Sequence, residues 1–175
     1  MRKSPDPELA AVKDVAEFMS ASARTAPKTR GIDNIDIVVI DEGPDKAKLI
    51  KKMDELSAKL NKPSMARDAG SIKGASQIVV IGVRSVSAGL DCGFCGYLTC
   101  KDLAKSGGVC AYNSIDLGIA VGSAVSIAGD FHIDNRVMYS IGKAAIDLGF
   151  FDKDVKQALG IPLSVTGKNP YFDRK

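Results

Sequence analysis

A chain of 175 residues is long enough to bury a substantial core, and 45 % apolar residues exclude a disordered segment. Formal charge is +3, from 24 basic and 21 acidic side chains, a balance that argues against a nucleic-acid-binding or anionic-membrane surface. Tryptophan is absent while glycine occurs 17 times, so small residues, more than large rings, are expected to fill the interior.

The basic start Met1-Arg2-Lys3 has no apolar run behind it, so no leader is read there. The longest apolar stretch, residues 115–128, holds Asp116 and several glycines and is too short to span a bilayer. A cytoplasmic protein with reduced thiols is expected.

Ser4 is expected to cap a helix over residues 5–23, with Pro5 in its first turn and Asp6 and Glu8 complementing the dipole. Leu9, Val12, Ala16, Met19 and Ala23 recur along it at helical spacing. A basic, Pro- and Gly-containing run (24–31) breaks the helix. Residues 35–40, Ile-Asp-Ile-Val-Val-Ile, predict a strand covered on both faces. Gly43-Pro44-Asp45 opens a second helix with Leu49, Met53, Leu56 and Leu60 on one side, closed by Asn61-Lys62-Pro63. Residues 64–76 show no clear pattern and read as a loop with at most a short helical turn. Residues 77–83 predict a second buried strand.

From 111 to 128 the sequence is helical and apolar nearly all round, which marks a central, buried helix. Gly118 and Gly122 on it predict close approach of another element. Further on, 137–141 reads as a third strand and 142–149 as a short helix. Asp152 is expected to cap another helix through Val155 and Leu159, ending at Gly160-Ile161-Pro162, before a last strand at 163–166. His132 reads as a structural or surface histidine, and Asp134, Asn135 and Arg136 as a turn. No hydrolytic Ser/His/Asp or Cys/His set and no phosphate-binding G-x-x-x-x-G-K-[ST] loop is visible.

The chemistry concentrates between the second strand and the apolar helix. Cys92-Gly-Phe-Cys95-Gly-Tyr-Leu-Thr-Cys100, followed by Cys110, holds the only four cysteines of the chain. Four cysteines this close suggest four thiolates aimed at one centre, which suits an iron–sulfur cluster or a structural zinc. Glycine after two of them lets the backbone curl round a bulky group and turn N–H groups toward sulfur. A zinc knuckle opens with similar spacing but expects histidine third, whereas the third residue here is Cys100 and the single His132 is distant. Cys110 falls at the start of the apolar helix, where the dipole would favour a negatively charged centre.

This run resembles the Cys-Gly-x-Cys-Gly-x-x-x-Cys motif of the [4Fe-4S] domains in electron-transport complex subunits and corrinoid iron–sulfur proteins, although those place the fourth cysteine further along. The whole chain is similar to an uncharacterised family of prokaryotic ferredoxin-domain-containing proteins, through Asp134-Asn-Arg-Val-Met-Tyr-Ser-Ile-Gly142 and the closing Gly160-Ile-Pro-Leu-Ser-Val-Thr-Gly-Lys-Asn-Pro-Tyr-Phe-Asp-Arg174. The resemblance implies a [4Fe-4S] cluster on Cys92, Cys95, Cys100 and Cys110, without naming a reaction.

The order of elements also resembles the nitroreductase fold. In that flavin-binding family, basic residues near both ends of the chain meet the flavin phosphate. Carried over through Ala26-Pro-Lys-Thr-Arg-Gly and Gly167-Lys-Asn-Pro-Tyr-Phe-Asp-Arg174, the resemblance implies Arg24, Lys28, Arg30, Lys168 and Arg174 as possible FMN-phosphate ligands. The other reading of these five is solvated loop charge.

The expected architecture is a single α+β domain over residues 1–175, a sheet of about four strands wrapped by helices with an iron–sulfur loop at 84–110. The expected function is single-electron transfer through a [4Fe-4S] cluster to an unknown redox partner protein. One alternative is an FMN-dependent, nitroreductase-like oxidoreductase with an auxiliary cluster, as a homodimer. Another is a zinc-stabilised interaction module. Neither nucleic acid nor membrane is expected as a partner.

Overall fold

The computed structural model describes residues 1–172, so Arg174 lies outside the described residues. One four-stranded antiparallel sheet forms the centre, in the order β1-β2-β4-β3: β1 Ile35–Asp41, β2 Gln77–Arg84, β3 Asp134–Asn135 and β4 Val155–Ser164. The long helices α1 (Asp6–Thr25) and α5 (Ala111–Asp130) cover one face; α2 (Pro44–Leu60), α3 (Pro63–Ser71) and α6 (Tyr139–Asp147) cover the other. This is the expected α+β class. Among the described residues no single helix is long and apolar enough to cross a membrane.

Two-residue alternation along β2 feeds both cores. Val79, Ile81 and Val83 join Val15, Met19, Ala120 and Ala124 under α1 and α5. Ile78 and Val80 join Leu49, Met53, Met65 and Ile141 on the opposite face. Gly82 falls on that second face, where a Cβ would lie 2.8 Å from a Val155 methyl and 3.2 Å from the Phe151 ring.

Several expectations are corrected. β1 is an edge strand whose Ile35 and Ile37 join one core and whose Val38 and Ile40 join the other, so both faces are covered as expected except at Val39, which is exposed. α1 begins at Asp6 after Pro5; Ser4 makes no cap to the backbone and instead donates to the Glu8 carboxylate. Residues 64–76 are not a loop: Pro63 opens α3, and Met65, Asp68, Ala69 and Ile72 are buried at helical spacing. Residues 137–141 are not a strand, since only Met138 bridges to Gly160 before α6 begins at Tyr139.

The expected helix from Asp152 through Leu159 is instead most of β4, which also absorbs the strand placed at 163–166 as far as Ser164. Val155 and Leu159 have helical spacing by coincidence, and they face opposite sides of the sheet. Pro162 fits inside this strand because Gly160, two residues earlier, exchanges its N–H and C=O with Met138, away from β2. Pro162 therefore points its missing donor to the side where β3 is interrupted, and no bond to β2 is lost.

α5 is long but not buried all round. Leu117, Ala120, Val121, Ala124 and Ala128 face the core, while Ile115 and Ile119 are 43 % and 40 % exposed. Among the described residues, and apart from the helix's own backbone, nothing lies within 4 Å of the positions a Cβ would take at Gly118 and Gly122, so the close neighbour expected there is not found.

Candidate functional site

At Arg84 the chain leaves the sheet and runs without helix or strand until α4, Cys100–Ser106, a helix inside what the sequence predicts as loop. Thr99 caps α4 by accepting the Asp102 N–H, and an 88° bend then separates it from α5. The result brings all four cysteines onto the wall of one small concavity, with free space of only about 10 Å³. Cys92 is exposed, Cys95 and Cys100 half-buried, and Cys110 buried.

Glycine makes the first bend of this cage possible. Gly93 and Gly96 have φ of +76° and +82°, and the Gly96 N–H closes the turn on the Gly93 carbonyl at 2.9 Å. Phe94 stacks on Tyr112 of α5, with ring centroids 5.7 Å apart, and so ties the cysteine loop to the helix. Leu98 and Phe94 form an exposed apolar rim beside the opening, at 89 % and 67 %.

The backbone is arranged to meet charge on sulfur. The Asp91 N–H donates to Cys100 Sγ at 3.4 Å, while the Asp91 carboxylate accepts the Cys100 N–H at 2.6 Å. The Ser87 side chain, followed by the Asp91 N–H, holds the Cys100 thiol below its ordinary range by hydrogen bonding to the thiolate. Cys110 is the residue just before α5, a 20-residue helix whose first N–H groups lack helical partners.

Two further residues brace the cage, and neither is among the site residues expected from the sequence. Asn113, 2 % exposed, donates through Nδ2 to the Val86 carbonyl at 2.9 Å, joining the first turn of α5 to the strand exit. Asp116, 4 % exposed, accepts the Thr29 N–H and hydroxyl, at 3.0 and 2.8 Å to Oδ1. The available signal is two polar residues three apart, on one face of an otherwise apolar helix. Asp91 gives no such signal: its left-handed φ of 45° and double contact with Cys100 depend on where the loop returns.

Among the described residues no three Cys, His, Asp or Glu side chains gather closely enough to hold one metal ion. Four cysteines on one wall, with the Asp91 N–H on Cys100 and a helix start after Cys110, are the donor chemistry that an iron–sulfur cluster or a structural zinc uses.

Of the basic residues considered for a flavin phosphate, the four among the described residues, Arg24, Lys28, Arg30 and Lys168, are not brought together, and Arg174 lies outside the described residues. Arg24 pairs with Asp33 at 2.5 Å and donates to the Ile35 carbonyl at 2.6 Å. Lys28 donates to the Ala23 and Arg24 carbonyls, capping the C-terminal end of α1, with its side chain 6 % exposed. Burial lowers the Lys28 ammonium, against the opposing pull of Asp33. Burial would raise the Asp33 carboxyl, but Arg24, the Ile35 N–H and Lys28 outweigh it and hold the group below the ordinary carboxylate value.

Arg30 donates to the Ala88 carbonyl at 2.9 Å, so this basic loop touches the cysteine loop. Lys168 follows the end of β4 at Ser164, beside Gln77, whereas Arg24 contacts the start of β1, beside Val83. Within one chain these are opposite ends of the sheet. Asp134 and Asn135 pair with that same far end of β4, so they do not reach the cage.

Residues 106–174 match a family described as uncharacterized proteins containing a ferredoxin domain (DUF2148), a segment that includes Cys110 but not the three earlier cysteines. An uncharacterized protein of Archaeoglobus fulgidus is 43 % identical over 172 residues, covering 93 % of this chain and 91 % of its own length. The chain belongs to this ferredoxin-domain family. Solved structures extend the family's fold. A nitroreductase with bound FMN from Bacteroides fragilis superposes with a TM-score of 0.64 at 10 % identity, over 93 % of this family member and 81 % of the nitroreductase. Another with bound FMN, from Desulfitobacterium hafniense, gives 0.57 at 16 % identity over 99 % and 86 %. An oxidoreductase containing FMN gives 0.63 at 13 % over 89 % and 68 %. At these identities the likeness is one of fold: the ferredoxin-domain protein has a nitroreductase-like architecture.

Proposed function

We propose that this protein holds a [4Fe-4S] cluster on Cys92, Cys95, Cys100 and Cys110 and passes single electrons to a partner protein. The observation that carries this reading is that the chain's only four cysteines line one cavity. The family description supports it. When bound, such a group takes up or gives one electron at a time, at a potential tuned by hydrogen bonds to its sulfurs. The chain's own part is to hold the four thiolates, to offer the Asp91 N–H and Ser87 hydroxyl to Cys100, and to bury the Cys110 side. The exposed Phe94 and Leu98 beside the opening give a partner protein an apolar place to approach.

The second reading is an FMN-dependent oxidoreductase with the cluster as an auxiliary centre, favoured by the FMN-binding proteins that share the fold. Arg24, Lys28, Arg30, Lys168 and Arg174 remain its proposed phosphate ligands. Since Arg24 and Lys168 belong to opposite ends of the sheet, bringing them together calls for a second copy of the chain. The exposed Ile115 and Ile119 of α5 and the open space over Gly118 support such a homodimer. A zinc-stabilised module is the third reading: the same four cysteines could hold zinc, and the family description favours the cluster.

Anaerobic purification followed by iron, sulfide, zinc and flavin assays separates the three. About four irons and four sulfides per chain, with visible absorption that bleaches on reduction, is the expected result. Flavin released on denaturation would add the second reading, and colourless protein with about one zinc per chain would overturn both.

A further inference from the structure

Cys110 lines two concavities. One is the cysteine cage; the other is an open groove of about 540 Å³. Leu103 and Ala104 of α4 and the turn at Gly107 and Gly108 form an apolar wall of the groove. Gly108 keeps that wall close, since a Cβ there would lie 2.7 Å from Leu103 Cδ1. Opposite stand Lys153 and Lys156, where the chain enters β4 past the register shift at Val83 and Arg84. Neither lysine pairs with a carboxylate among the described residues. Asp154 also lines the groove, and its carbonyl is taken by the Ser85 N–H at 2.8 Å. The mouth thus carries two cations against one carboxylate.

An apolar wall facing a net positive rim selects a molecule with a hydrophobic body and a negative head. The volume falls within the range of roughly 300–1,000 Å³ usual for small-molecule sites. We propose that this groove binds a small organic anion, a carboxylate or a phosphate ester, with its body on Leu103 and Ala104 and its charge between Lys153 and Lys156. Such a ligand sits one cysteine side chain from the cage. Its relevance to electron transfer rests on the cluster reading, but its binding does not.

Calorimetry on the full chain, purified anaerobically and assayed for iron, tests this with benzoate, phenyl phosphate and the neutral benzamide. One of the two anions binds saturably, and benzamide binds about fivefold more weakly or worse. Joint Lys153→Gln and Lys156→Gln substitution weakens the anion about five- to tenfold with iron content and thermal midpoint unchanged, and Asp154→Asn tightens it about twofold. The anion that binds more tightly identifies the headgroup. No saturable binding of either anion, benzamide equal to them, or lysine variants indistinguishable from the original overturns the proposal. Iron-free protein that still binds the anion sinks the cluster reading and leaves the groove; iron-loaded protein that ignores both anions does the reverse.

Discussion

The two faces of the sheet are closed to different degrees. Under α2, α3 and α6 the core is built from long side chains, Leu49, Met53, Leu56, Met65, Met138 and Phe151. Each helix there shows the core one apolar stripe. Under α1 and α5, Ala16, Ala23, Ala120, Ala124 and Ala128 stand among Val12, Met19, Leu117 and Val121, so the two long helices lie near each other and near the strands. The first face is finished within the chain. The second ends in a helix with apolar residues left outside and with Cys110, Asn113 and Asp116 at its start. What differs is purpose: one face stabilises, and the other builds the cage and presents a surface.

The comparison breaks most visibly at the closed face. Gly160 lies against α6, where an added Cβ would sit 2.0 Å from Ile141 Cγ2 and 2.4 Å from its Cβ. These are atoms near the helix backbone and cannot swing aside. Gly160→Ala is expected to lose about 3 kcal/mol or more in denaturant unfolding. A loss under about 1 kcal/mol would mean that α6 floats over β4 and that this face is not the rigid one.

A second effect on the same face is readable by pH. Burial pushes the Tyr171 phenol up to about 12, with Asp134 adding to the shift and Ser164 opposing it. Because the folded value lies above the ordinary value near 10, the neutral phenol's stabilisation is complete below about pH 10 and is lost as pH rises toward 12. The loss is of order 2–3 kcal/mol. The measurement is the difference between the parent and Tyr171→Phe curves, which cancels every other group. A difference that stays flat from pH 9 to 12 would contradict the burial of this ring.

The face that carries the cage should respond differently. Asn113→Ala leaves the Val86 carbonyl without its donor, but it also removes Asn113 Oδ1, which is buried with no hydrogen-bond partner among the described residues. The two effects offset in part, and a stability loss of about 1 kcal/mol is expected. The larger consequence falls on the cage, because the bond holds Cys110's helix to the loop bearing the other three cysteines. Iron per chain after gel filtration, and its rate of loss to a chelator, should show a marked fall in retention. Full retention of iron would remove Asn113 from the bracing of the site.

This division also explains which parts of the chain are legible in its sequence. β2, α2 and the cysteine cage are, because each rests on a local pattern: a run of β-branched residues, an apolar stripe after Gly43-Pro44, four cysteines close together. β4 is not, because Val155 and Leu159 have helical spacing while pairing with β2, a partner some seventy residues earlier, makes the segment a strand. α3 hides behind Pro63, which reads as the end of α2 although proline is equally suited to open the next helix. The four cysteines stand out by spacing, but the bracing by Asp91, Asn113 and Asp116 arises from loops that meet only once the sheet is formed. The basic residues Arg24 and Lys28 look like phosphate ligands in sequence; in the fold, Asp33 and the end of α1 engage them.

A gain in stability, in place of a loss, gives the sharpest test of the open face. Gly118 and Gly122 have nothing within 4 Å of the place a Cβ would take, so each Ala substitution is free of clashes within the chain. Alanine is favoured over glycine inside a helix by about 0.5–1 kcal/mol, and the double variant should therefore unfold at higher denaturant when measured at low protein concentration. If a second copy packs on Ile115, Gly118, Ile119 and Gly122, the same two methyl groups hold the copies apart, and sedimentation equilibrium should show weaker self-association. Greater chain stability with weaker association is the expected pair of outcomes. A gain in stability with association unchanged would mean that the outer side of α5 is not the contact between copies, and the apolar residues there would have to serve a different protein.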